Sequence, residues 1–258
     1  IFNEFTMNYD LNILNNGIAK LKDLKSLKLI GNYYKTKLPE YSQSLSFSEK
    51  LQELRVDLDR EKKLLTPVYL GLYAKALINL NTLYLGAESS HEVSMEPIGT
   101  VISQLPNLRN LFLFFGKLPV DFLSTFSNPN IEMLHLQVLS LNSVENKVPD
   151  FLSKMPKIKR LSIHANSFDL LTLMSPFLLA LRELNTLELY NLGIDTVTER
   201  SCIRSFKLIA MLPRLKVVIW KYTFKKRKDW NDLVKKINQE LDEITLEEVI
   251  AMSPGYLI

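Results

Sequence analysis

Leu108-Arg109-Asn110-Leu111-Phe112-Leu113 reads Leu-x-x-Leu-x-Leu, and the same spacing of apolar residues returns along most of the chain. Upstream it recurs at Leu24, Leu27, Leu29, at Leu51, Leu54, Val56 and at Leu80, Leu83, Leu85. Downstream it recurs at Ile131, Leu134, Leu136, at Ile158, Leu161, Ile163, at Leu184, Leu187, Leu189 and, less cleanly, at Leu215, Val218, Trp220. Phe2, Phe5 and Met7 form a degenerate first copy. Successive copies from Leu24 begin 27, 29, 28, 23, 27, 26 and 31 residues apart, so the unit is an internal repeat of variable length and not a rigid short one.

Four copies carry a proline two residues before the first apolar position, at Pro106, Pro129, Pro156 and Pro213. Proline there is read as the stop of a preceding helix, because it lacks an N–H and crowds the previous turn. Apolar residues at helical spacing follow start signals at Thr66-Pro67 (Val68, Leu72, Leu77), at Ser94 with Pro97 (Ile98, Val101, Ile102) and at Ser175-Pro176 (Leu178, Leu179). Strand and helix therefore alternate. Alternate residues of each strand face one core and the intervening ones face out.

With these repeats the chain resembles the leucine-rich repeat proteins, in their long, ribonuclease-inhibitor-like subtype, over about residues 1–224. The resemblance implies an α/β solenoid curved into a horseshoe, with parallel strands on the concave face and helices on the convex face. Packed helices need about 8–10 Å against roughly 4.8 Å for paired strands, which is the physical reason such stacks bend. The family places an asparagine three residues after the third apolar position; Asn32 and Asn166 fit, whereas Asp59, Glu88, Gly116, Leu139, Leu192 and Thr223 do not. A continuous asparagine ladder at that position is therefore excluded, and an irregular solenoid is expected.

Residues 1–224 are read as the solenoid, of about eight to nine repeats, and residues 225–258 as a basic linker, a capping helix and a tail. Asp229 is a helix N-cap, after which Trp230, Leu233, Val234, Ile237, Leu241 and Ile244 keep helical spacing with charges between. A solenoid needs such a cover for its last apolar face. Gly31–Lys50, with Tyr33, Tyr34 and Tyr41, is read as a protruding loop.

Composition bounds the remaining choices. Of 258 residues 47% are hydrophobic, with eight glycines, eleven prolines and a net charge of +4, which excludes a disordered or collagen-like chain. Uncharged runs reach twelve residues, as at Leu170–Leu181, against roughly twenty for a membrane-spanning helix. One cysteine, Cys202, forms no internal disulfide, and no Asn-x-Ser/Thr triplet occurs. The expected setting is intracellular, cytoplasmic rather than nuclear. The first residue is Ile1, so the chain is expected to be a piece of something longer.

The strand register predicts three lateral rows on the outward face. One is Lys28, Arg55, Tyr84, Phe112, His135, Ser162, Glu188 and Ile219; the second is Ile30, Asp57, Gly86, Phe114, Gln137, His164, Tyr190 and Lys221; the third is Ser26, Glu53, Thr82, Asn110, Met133, Arg160, Thr186 and Val217. Large aromatic side chains at outward positions suggest a contact surface. The opposing reading buries the run Leu111–Phe115 on both sides against another part of a parent protein. Candidate partner-binding residues are Arg55, Tyr84, Phe112, Phe114, His135, Arg160, His164, Glu188 and Tyr190.

His135, Ser162 and Glu188 share a row, but a hydrolytic triad needs histidine between nucleophile and carboxylate, and no Gly-x-Ser-x-Gly surrounds Ser162. Two histidines without a cysteine or clear carboxylate partner make a weak metal site, so no metal and no cofactor are expected. Cys202, with Ile203 and Phe206, reads as a small core residue, and no phosphate-binding glycine loop occurs. Lys225-Lys226-Arg227-Lys228 reads first as a solvated charge run and otherwise as a contact for nucleic acid or an acidic partner or as a nuclear-targeting segment, and a nucleic-acid reading survives only there. The reading is a non-catalytic protein-binding module using the concave face. Two alternatives stand beside it: a substrate-recognition part of an F-box ubiquitin ligase and a structural subunit of a large assembly. The oligomeric state is open.

Overall fold

The computed structural model describes residues 16–31, 47–58, 77–87, 96–117, 120–140, 148–165, 178–190, 199–221, 232, 235, 239 and 248–252. The chain divides into two compact units, Ile1–Ile131 and Glu132–Ile258. Thr66-Pro67, Ser94, Ser175-Pro176, Asn32, Asn166, the tyrosines of the Gly31–Lys50 segment and Lys225–Lys228 lie outside the described residues.

In the first unit, β1 (Ser26–Gly31), β2 (Glu53–Leu58), β3 (Thr82–Ala87) and β4 (Asn110–Lys117) pair in sequence order, every pair parallel. Helix α1 (Glu96–Ser103) leads into β4, and α2 (Val120–Thr125) follows it. In the second unit, β5 (Met133–Ser140), β6 (Arg160–Ala165), β7 (Thr186–Tyr190), β8 (Val217–Lys221) and β9 (Glu248–Met252) likewise pair in order and parallel. Helix α3 (Val148–Ser153) lies between β5 and β6, and α4 (Glu199–Ala210) between β7 and β8. Each unit is thus a parallel sheet with helices in alternation, an α/β architecture.

The repeat spacing explains the core. Second-position residues Leu54, Leu83, Leu111, Leu134, Leu161, Leu187 and Val218 are essentially inaccessible, as are the third-position residues Leu85, Leu113, Leu136, Ile163 and Leu189. The helices supply the facing layer: Ile98, Val101 and Ile102 from α1, Phe122 and Leu123 from α2, Phe151 and Leu152 from α3, Phe206 and Ile209 from α4. In the first unit Phe115, at the core end of β4, leads into Phe122 and Phe126, with centroid separations of 6.0 and 5.5 Å.

A helix ends three or four residues before each of the four prolines, at Ser103, Thr125, Ser153 and Ala210. Each proline sits second in a four-residue turn that closes just before its strand, the N–H of Leu108, Ile131, Ile158 and Leu215 donating to the carbonyl three residues back. Proline's fixed φ suits that turn position. After the turn, one carbonyl ties consecutive repeats: Lys25 O accepts from the N–H groups of Gln52 and Glu53, Gln52 O from Asn81 and Thr82, and Lys159 O from Asn185 and Thr186.

An asparagine ladder does exist, displaced from the position where the family pattern puts it. Asn79, Asn107 and Asn130 occupy the third residue of successive turns, and each side-chain amide donates to the second carbonyl of the turn before it: Glu49 O at 2.6 Å, Ile78 O at 3.1 Å and Pro106 O at 3.4 Å. The buried Asn128 Nδ2 adds bonds to Ile102 O and Leu105 O, both at 3.0 Å, while its Oδ1 accepts from Asn130 N–H. Ser48 fills the same first-residue place three turns before Asn128, donating to Lys22 O and accepting from Lys50 N–H.

Strand β9 has no counterpart among the eight copies read from the sequence. It falls in the segment assigned to the capping helix and tail, and its register, Val218 to Val249 and Trp220 to Ala251, shows a degenerate copy at Leu246, Val249 and Ala251. Before it, Asp232, Lys235 and Gln239 are helical and exposed; the apolar residues of the expected capping helix lie outside the described residues.

Candidate functional site

The outward residues fall in the rows that the sequence predicts. In the first unit Lys28, Arg55, Tyr84 and Phe112 are register partners on β1 to β4, and Ser26, Glu53, Thr82 and Asn110 form the row beside them. In the second unit His135, Ser162, Glu188 and Ile219 share a row, with Gln137, His164, Tyr190 and Lys221 on one side and Met133, Arg160, Thr186 and Val217 on the other. Candidate residues therefore form two groups, one in each unit.

In the first group the Tyr84 and Phe112 rings stack with centroids 4.1 Å apart and planes 13° from parallel. The Arg55 Cζ lies 5.7 Å from the Tyr84 centroid, a cation–π contact made from the neighbouring strand. Tyr84 and Phe112 are half-buried, as is Phe114 in the next row, opposite Gly86. Burial raises the Tyr84 phenol above its ordinary value, the Glu53 carboxylate adds to this, and the Arg55 charge offsets part of it. The neighbouring row is polar and tied together: Asn110 Nδ2 donates to Asn81 Oδ1 and to Thr82 Oγ1, both at 3.0 Å, and Ser26 donates to Glu53 at 3.4 Å.

The second group is built around a buried carboxylate. Glu188, 4% exposed, is ion-paired with Arg160 from β6 and accepts from the Tyr190 hydroxyl at 2.8 Å. The small Ser162 lies between His135 and Glu188 in the row, and its buried Oγ meets no partner at hydrogen-bond geometry among the described residues. The Tyr190 ring approaches both imidazoles, with centroids 6.3 Å from His135 and 6.1 Å from His164.

Electrostatics follow from this packing. Burial and the Glu188 hydrogen bond and charge push the Tyr190 phenol up to about 12, with Arg160 and the nearby Ser162 hydroxyl opposing. Burial lowers His135, which Glu188 opposes and the charges of His164 and Arg160 reinforce; burial also lowers His164. Both imidazoles are therefore held neutral near pH 7.

Chemically, Ser162 makes no hydrogen bond to an imidazole, and Glu188 is committed to Arg160 and Tyr190. Among the described residues no group of three or more His, Cys, Asp or Glu side chains is placed to hold a metal ion. No helix among them is long and apolar enough to cross a membrane. Cys202 lies within α4. The sequence names the members of both groups, but not the Arg160–Glu188–Tyr190 network, and register partnership alone does not disclose it. No protein-family model matches the sequence, and no curated protein matches it either.

Proposed function

We infer that the chain is a non-catalytic protein-interaction module of the leucine-rich repeat type, binding through the outward face of its parallel strands. The Arg55–Tyr84–Phe112 stack carries this reading. Three side chains from three successive strands are mutually ordered before any partner arrives. Preordering lowers the entropy cost of binding, and Tyr and Arg are among the residues that dominate interface energies.

The test is affinity purification with mass spectrometry from the native cell, comparing the intact chain with a Tyr84→Ala, Phe112→Ala, Phe114→Ala variant whose fold is verified by circular dichroism. Partners recovered by the intact chain and lost by the folded variant support the reading. The same partners on both chains would sink it.

A further inference from the structure

We propose that the second unit's outward face carries an acid-driven exchange: when His135 is protonated, Glu188 gives up Arg160 and takes the imidazolium through the hydroxyl of Ser162. This inference stands apart from the interaction reading, since the exchange is internal to the face and needs no partner.

The placement of Ser162 carries the first part. It is the register partner of His135 on one side and of Glu188 on the other, so a hydroxyl stands between the imidazole and the carboxylate. The residue is 4% exposed, and its Oγ meets no partner at hydrogen-bond geometry among the described residues. A buried hydroxyl left in that state is costly. Protonation adds a second N–H donor to His135, and Oγ then accepts from the imidazolium while its own hydrogen goes to Glu188. Tyr190 ties the same groups together, its ring 6.3 Å from His135 and 6.1 Å from His164 and its hydroxyl on Glu188.

Charge balance carries the second part. With both imidazoles neutral, Arg160 and Glu188 are a matched pair. With both protonated, three cations surround one carboxylate, and the Arg160 charge already opposes that of His135. Arg160 is about half exposed, whereas Glu188 is buried and the imidazoles are half-buried, so the guanidinium is the cation that returns to water at least cost. The remaining titratable groups of this unit near the exchange are Tyr190, which keeps its bond to Glu188, and Lys221, its register partner on β8.

The test begins with histidine C2–H titrations by NMR on the full chain, which holds three imidazoles, His91, His135 and His164. His91→Gln, His135→Gln and His164→Gln assign the signals. Ser162→Ala should lower the His135 midpoint by about half a pH unit, leave that of His164 in place, and have no effect in a Glu188→Gln background. Urea unfolding of Arg160→Gln, Glu188→Gln and the double variant should show a coupling at neutral pH that is lost once His135 has titrated, read above the carboxylate range. An unmoved His135 midpoint in Ser162→Ala, the same shift without Glu188, or Arg160–Glu188 coupling that persists in acid would each overturn the exchange. So would a His135 that stays neutral down to the carboxylate range.

Discussion

Tyr190 donates its hydroxyl hydrogen to Oε2 of Glu188 at 2.8 Å, from two residues further along the same strand. The phenol thereby covers a carboxylate that Arg160 already neutralises. A buried carboxylate is tolerable only with such partners, because its desolvation is otherwise uncompensated. Arg160, about half exposed, is the partner whose loss tests this.

Arg160→Met should lower stability by about 2–3 kcal/mol, since the carboxylate stays buried while its ion pair is gone. Combining it with Glu188→Leu should recover most of that loss, because no charge then remains to be solvated. Urea unfolding of the two single variants and the double variant measures the coupling. Additive losses would contradict the account.

Acid and alkali should act on this cluster in separate windows. His135 and His164 have lowered values, so the unfolded chain takes up protons more readily than the folded one below the ordinary histidine range. Their stabilising contribution is present above about pH 6.5 and is lost as pH falls through the lowered values. Tyr190, raised to about 12, works in the opposite sense: its contribution is present below about pH 10 and is lost as pH rises toward 12. Histidine C2–H chemical shifts and phenolate absorbance follow the two titrations directly, and Tyr190→Phe should remove the highest phenolate step.

Much of this architecture is legible in the repeat. Leu111 and Leu113 against Phe112 and Phe114 give the period of two, and that period together with the alignment of successive copies places Tyr84 beside Phe112 and His135 beside Ser162. Strand β9 is harder to see because Ala251 stands where other copies carry Leu, Val, Ile or Trp, and Glu247-Glu248 breaks the apolar impression. Side-chain networks are harder still. Register says that Arg160 and Glu188 lie on neighbouring strands in adjacent rows, not that the guanidinium reaches across to the carboxylate. Asn128 escapes for a related reason: a polar residue where Leu77, Leu105, Met155, Leu181 and Leu212 stand in other repeats reads as an imperfection until its bonds are seen.

That residue yields a prediction against the consensus. Asn128→Leu restores the apolar residue of the other repeats but removes the donor for Ile102 O and Leu105 O and the acceptor for Asn130 N–H. Unmade buried hydrogen bonds outweigh the added apolar burial, so the variant should be less stable by about 2–3 kcal/mol. A stabilised variant in thermal or urea unfolding would show that the neighbouring backbone finds partners without it.

Gly99 sits on the face of α1 that meets α2, and there the absence of a side chain sets how closely the helices approach. A Cβ at that position would collide with Thr125 Oγ1 and stand 3.2 Å from Phe126 N and 3.3 Å from Phe122 O. The Thr125 hydroxyl is held by its bond to Asp121 O at 2.9 Å, and backbone atoms of the next helix cannot yield as a side chain does. Alanine normally favours a helix interior over glycine by about 1 kcal/mol, whereas overpacking costs roughly 1–3 kcal/mol. Gly99→Ala should therefore be destabilising by about 1–2 kcal/mol despite the better propensity. Thr125→Ala removes the worst contact while leaving the two backbone ones, so the double variant should lose less than the sum of the singles, with a coupling of about 1 kcal/mol. An additive double variant would mean that the two helices relax apart and that their close approach is not what keeps glycine at position 99.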